Sequence, residues 1–246
     1  MIVAPSTLGV AAVMFIAAFT RSTLGFGEAL IGVPLLALMI PIQVAVPVAV
    51  LVSITVAAAV MVQDWRHIHL RGAASLLVPS IVGIPLGLYV LAAAPSHWVK
   101  IGLALFIMGF SVYSLLSHGR FALADDRLAW VFGFFAGVLG GAYGMNGPPL
   151  AAYGTMRGWS PRQFRATLQA YFLPASVMVM AGYAYSGLWV PAVSRTYLAV
   201  LPGVVVALFL GRAANRRLRG RVFVRVVHLG LIAIGAALLV SSVAGR

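Results

Sequence analysis

The feature that most constrains this chain is a series of ten apolar runs, roughly 4–20, 24–40, 42–62, 72–93, 98–116, 127–141, 145–158, 163–185, 194–211 and 222–242, separated by short polar gaps. A helix needs about 20 apolar residues to cross the hydrocarbon core of a bilayer, and several runs reach that length. They are unbroken rather than alternating in ten-residue segments, which argues for helices and against a membrane β-barrel. Composition agrees: 62% of the 246 residues are hydrophobic and 9% charged, with only four acidic side chains, far from the balance of a water-soluble domain. Without cysteine the chain has no disulfides, thiolate metal sites or thiol catalysis. The apolar start, Met1 to Thr20, lacks a basic leader and a small-residue cleavage site, so it reads as a retained membrane segment rather than a signal peptide.

The net charge of +13 does not point to nucleic acid, because the basic residues occupy the gaps between apolar runs, where positive charge fixes membrane orientation. If all ten segments alternate, Arg21, Arg66, Arg71, Arg120, Arg127, Arg157, Arg162, Arg165, Arg212, Arg216, Arg217, Arg219, Arg221 and Arg225 share one side, against Lys100, Arg195 and Arg246. Treating 4–40 and 127–158 as single broken crossings gives eight spans and a weaker split of 5 against 11. The first arrangement puts both ends of the sequence outside. The runs 127–141 and 145–158 are short enough to be halves of a hairpin that re-enters, which leaves this parity unchanged.

An internal repeat is visible. Gly25-Phe-Gly-Glu-Ala-Leu-Ile-Gly-Val-Pro-Leu35 aligns with Gly140-Gly-Ala-Tyr-Gly-Met-Asn-Gly-Pro-Pro-Leu150, and Pro41-Ile-Gln43 is echoed by Pro161-Arg-Gln163. Gly/Pro interruptions at corresponding places in two halves mark the binding sites of transporters built from inverted repeats. Five segments per half make the halves inverted, with the boundary near Ser117 to Arg127, giving repeats 1–120 and 121–246. The expected fold is an all-α polytopic membrane protein of eight to ten segments with two broken or re-entrant hairpins.

In these residues, Arg21 to Leu36 and Gly137 to Leu150, the chain resembles the sulfite exporter TauE/SafE family, also called the four-toluene-sulfonate uptake permease family. The resemblance implies a carrier of small anions, commonly sulfite or organosulfonates, in the bacterial inner membrane, with no cofactor. Glu28 and Tyr143 depart from the glycine-richest versions of the motif, and a carboxylate beside an anion path repels the anion unless it is protonated or paired.

Arg21 reads as an anion ligand, since a guanidinium matches the oxygens of sulfite, sulfonate or carboxylate, or as a cytoplasmic topology charge. Ser22 and Thr23 are placed to cap the following helix, and Asn146 before Pro148-Pro149 to cap its counterpart, leaving helix N-termini aimed at the path. Glu28 is the acidic residue inside an apolar segment, a functional hypothesis by default. It reads either as a proton carrier or as a structural partner of Arg21 or of an arginine in the second half. Gly25, Gly27, Gly32, Gly140, Gly141, Gly144 and Gly147 permit tight turns and close helix contact. Arg165 and Gln169, with Arg162 a turn earlier, share a helix face that suits a polar entrance. The substrate-binding candidates are thus Arg21, Ser22, Thr23, Gly25, Gly27, Glu28, Gly141, Tyr143, Gly144, Asn146, Gly147 and Gln169. His67-x-His69 and Asp125-Asp126 lack companions for a metal. The basic stretch Arg212 to Arg221 suits anionic lipid headgroups. The expected partners are a small anion, lipids and a coupling proton, with a homo-oligomer left open. The rivals are a membrane-embedded enzyme, which needs more intramembrane polar groups, and a scaffold subunit, which needs none converging between the hairpins.

Overall fold

The computed structural model describes residues 7–64, 70–116, 123, 126–215 and 221–244. His67, His69, Asp125 and the repeat boundary around Ser117 lie outside them. The described residues form ten helices and no strand: α1 (Thr7–Leu24), α2 (Glu28–Ala37), α3 (Ile42–Asp64), α4 (Leu70–Ala93), α5 (Ser96–Leu116), α6 (Ala129–Tyr143), α7 (Gly147–Met156), α8 (Pro161–Tyr185), α9 (Pro191–Asn215) and α10 (Arg221–Ala244). This is an all-α polytopic membrane protein. Among the described residues, four helices are long and apolar enough to cross a bilayer by themselves: Ile42–Met61, Gly72–Ala93, Ser96–Leu116 and Pro191–Ala214.

Two short helices lie inside the bundle. Nine of the ten residues of α2 are buried, and α7 buries Gly147, Pro148, Leu150, Ala151, Tyr153 and Gly154. The long helices instead expose large apolar side chains such as Val82, Tyr89, Leu105, Leu198, Phe209 and Val240, as a lipid-facing shell requires.

Each short helix is joined to its predecessor by a glycine break. Gly25 N–H donates to Arg21 O at 2.7 Å and Gly144 N–H to Gly140 O at 2.8 Å, and both glycines have positive φ, 91° and 67°. That is the left-handed helix C-cap in which a side chain is strained. The structural register therefore pairs Gly25 with Gly144 and Arg21 with Gly140, four residues away from the Gly25/Gly140 frame of the sequence repeat. Hydropathy places the first break at Arg21, but α1 runs on through it to Leu24. The guanidinium is paired, so it need not leave the apolar interior.

The helix pairings follow a symmetric scheme. α1 packs on α9 as α6 packs on α4; α3 meets α8 and α5 meets α10; α3 touches α9 as α8 touches α4. The α4–α6 contact is backbone on backbone. A Cβ on Gly83 or Gly87 of α4, or on Gly133, Gly137 or Gly141 of α6, would run into main-chain atoms of the other helix, the close approach that small residues permit in membranes.

Candidate functional site

The two breaks meet in the middle of the bundle, level with Ser53, the central residue of α3. Between them lies a small cavity, lined from the first hairpin by Gly27, Glu28, Ala29 and Leu30 and from the second by Gly144, Met145, Asn146, Gly147 and Pro148. Ser53 of α3 and Phe172 of α8 complete the wall.

Behind this wall sits Arg21, 1% exposed. A charge so deep is tolerable only when paired and hydrogen-bonded. Its Nη1 pairs with Glu28 Oε1 and donates to Ser53 Oγ at 2.8 Å; Nη2 donates to Gln169 Oε1 at 3.0 Å; and the guanidinium lies 4.9 Å from the centre of the Phe172 ring. Its Nε–H has no hydrogen-bond partner among the described residues. Gln169 uses its other end as well, Nε2 donating to Gly25 O at 3.1 Å, so one amide of α8 ties down both the arginine and the first break. Ser176 Oγ donates to Ser53 Oγ at 3.3 Å. The structure thus shows the Arg21–Glu28 pair that was one of two readings of the sequence.

Both short helices present their N-termini to the cavity without a side-chain cap. The cap position of α2 is Gly27, φ 106°, and that of α7 is Asn146, whose side chain makes no capping bond. Asn146 is 5% exposed and its Nδ2 has no hydrogen-bond partner among the described residues. The two ends are chemically unequal. Pro148 and Pro149 remove two donors from the first turn of α7, whereas α2 keeps all of its first-turn N–H groups.

Capping by Ser22 and Thr23 is overturned. Both lie in the last turn of α1: Ser22 Oγ donates to Leu208 O of α9 at 2.9 Å, and Thr23 Oγ1 donates to Thr20 O at 2.8 Å. Small hydroxyl side chains inside a helix satisfy themselves on preceding carbonyls. Asn146 likewise holds the cap position without capping. Two further candidates stand away from the cavity. Gly141 packs against Ile84 O of α4 while its carbonyl accepts from Tyr183 Oη at 2.7 Å, and Tyr143 Oη reaches toward Gly102 of α5. Gly27, Glu28, Gly144, Asn146 and Gly147 do line the cavity; Arg21, Gly25 and Gln169 stand directly behind it. Sequence reasoning missed Ser53, Phe172 and Ser176. The available signal was on α8, where Gln169, Phe172 and Ser176 recur at helical spacing.

A small cavity with polar and apolar walls at the meeting point of two broken helices inside an apolar bundle is the place where transporters built from repeats bind their substrates. The chain belongs to the sulfite exporter TauE/SafE family, whose sequence model, described as Sulfite exporter TauE/SafE, matches residues 10–238. A curated relative, the "Probable sulfite/organosulfonate exporter TauE" of Cupriavidus necator, is 28% identical over 181 residues, covering 73% of this chain and 70% of that protein. No solved structure matches the chain.

Proposed function

We propose that the protein is a multi-pass permease of the bacterial inner membrane that moves a small sulfur oxyanion, sulfite or an organosulfonate, by secondary transport. The substrate class follows the family and the Cupriavidus relative, whose name carries sulfite and organosulfonates. The observation that supports a route at this place is the cavity between the uncapped end of α2 and the amide of Asn146. An oxyanion there accepts hydrogen bonds from the first-turn N–H groups of α2, from Asn146 Nδ2 and from the Gly147 N–H, next to the positive end of a helix dipole. The residues on the wall are then Gly27, Glu28, Gly144, Asn146 and Gly147, with Arg21, Gly25 and Gln169 immediately behind them.

The halves 1–120 and 121–246 act as inverted repeats, which the mirrored helix pairings support, and their rocking about the cavity gives alternating access. The proton gradient drives transport, with Glu28 as the acidic group at the site. Reconstituted protein should take up labelled sulfite and methanesulfonate saturably, and acetate poorly, faster with a pH gradient than without. If none of the three enters saturably with or without the gradient, this reading fails.

A further inference from the structure

Glu28, and not Arg21, faces the cavity. The wall there is made by Glu28, Ser53 and Phe172, and these are three of the four groups that hold the guanidinium. Glu28 also opens the first turn of α2, the position where a helix dipole favours negative charge. Its carboxylate therefore holds the two things a bound oxyanion needs, an edge of a buried guanidinium and the end of α2. A second anion entering while Glu28 is ionised would leave the buried site with one net negative charge, which desolvation makes prohibitive.

We infer that Glu28 is an internal stand-in for the transported anion: a proton on its carboxyl releases the guanidinium edge of Arg21 to the substrate, and each monoanion crosses with a proton. This rests on the anion route proposed above. The balance is simple. The resting site holds guanidinium and carboxylate; the loaded site holds guanidinium, carboxylic acid and monoanion, and both sum to zero. The proton comes from the side of higher acidity, the Nη1–carboxylate pair gives way to an Nη1–oxyanion bond, and both are undone on the far side. The ionisable residues on helices packed against α2 are Arg21 on α1, Asp64 at the end of α3, His97, Lys100 and Tyr113 on α5, and Arg221, Arg225 and His228 on α10. The ion pair that the structure gives Glu28 is with Arg21.

Methanesulfonate, a monoanion at every working pH, is the probe. In proteoliposomes holding a pH-sensitive dye, an inward methanesulfonate gradient should acidify the lumen by about one proton per anion, and a potassium–valinomycin potential of either sign should leave the rate unchanged. Wild-type affinity should fall by about tenfold per pH unit at the alkaline end, where proton binding becomes limiting. Glu28→Gln should lose the pH dependence of methanesulfonate binding, giving a flat profile where wild type falls at the alkaline end, and any uptake it retains should not acidify the lumen. Uptake without acidification, or uptake that follows the potential, overturns the inference and leaves the transport reading standing. Absence of saturable methanesulfonate and sulfite uptake at every pH strikes the transport reading and the inference with it. If Glu28→Gln does not survive solubilisation, the wild-type proton-to-anion ratio and pH slope decide.

Discussion

The arginine at position 21 is worth more than its charge, because four different groups close around one guanidinium. Arg21→Ala leaves the Glu28 carboxylate buried without its cation, and breaking a buried pair from one side costs about 3–5 kcal/mol. Arg21→Met combined with Glu28→Gln removes both charges and should recover much of that loss. Thermal unfolding of the three proteins in detergent reads this directly, and additive losses would show that the pair is not coupled. Arg21 itself fell in a gap between apolar runs and read equally as a topology charge. Glu28 was legible as the acidic residue inside an apolar run, and pairing with Arg21 was one of the readings it left open. Ser53 and Phe172 were not: a lone Ser or Phe in such a run is ordinary, and only the packing of α3 on α8 turns them toward Arg21. Gln169 falls between these cases. Its spacing marked the helix face, while its double duty to Arg21 and Gly25 O depends on tertiary contact. Gln169→Leu should destabilise by about 1–3 kcal/mol, the cost of a buried donor and acceptor left without partners. A variant as stable as wild type would mean that water replaces the amide.

For the helices, glycine and proline carried most of what could be read in advance. The breaks fall where the Gly-rich motifs predicted them, yet capping was misread: Ser22 and Thr23 lie inside α1 and donate to backbone carbonyls there and on α9, and Asn146 holds the cap position of α7 without a capping bond. Register was misread for a related reason. Glycines near the breaks serve two purposes, and aligning Gly25 with Gly140 matched a turn glycine to one that gives way to the Asn146 side chain. The α4–α6 seam gives the clearest test of packing glycines. A Cβ on Gly137 would come within 2.6 Å of Ser80 O, whereas a Cβ on Gly109 of α5 meets nothing within 4 Å. Gly137→Ala should therefore force the helices apart at a cost of about 1–3 kcal/mol or more. Gly109→Ala should be neutral or slightly stabilising, by up to about 1 kcal/mol, since alanine is the better helix former. Equal melting temperatures for the two variants would refute the tight seam.

At the scale of the molecule the open question is sidedness, and the second hairpin bears on it. Its two ends are held together: Leu123 N–H donates to Met156 O at 2.9 Å, Arg157 Nη1 donates to Leu123 O at 2.9 Å, and Asp126 Oδ1 accepts from Tyr153 Oη at 2.5 Å and forms an ion pair with Arg157, 3.0 Å from its Nε. The start of α6 and the end of α7 therefore lie together, as they do in a hairpin that re-enters a membrane rather than crossing it. The first hairpin behaves alike, with Val10 and Met14 of α1 in one cluster with Leu36 of α2. On the inner-membrane reading proposed above, two re-entrant hairpins keep the parity in which the basic gaps share one side, and the positive-inside rule then makes that side cytoplasmic. The chain lacks cysteine, so each introduced thiol reports alone. Cysteines at Arg71, Arg127, Arg165 and Arg217 should all resist an impermeant thiol reagent added to intact cells. Cysteines at Ser96 and at Tyr185, which is 94% exposed, should react. If each hairpin were instead a single broken crossing, the side would switch between Arg127 and Arg165, and thiols at Arg165 and Arg217 would label while those at Arg71 and Arg127 stayed silent. That pattern would also place the two halves parallel rather than inverted, and would remove the basis for a shared site reached alternately from either face.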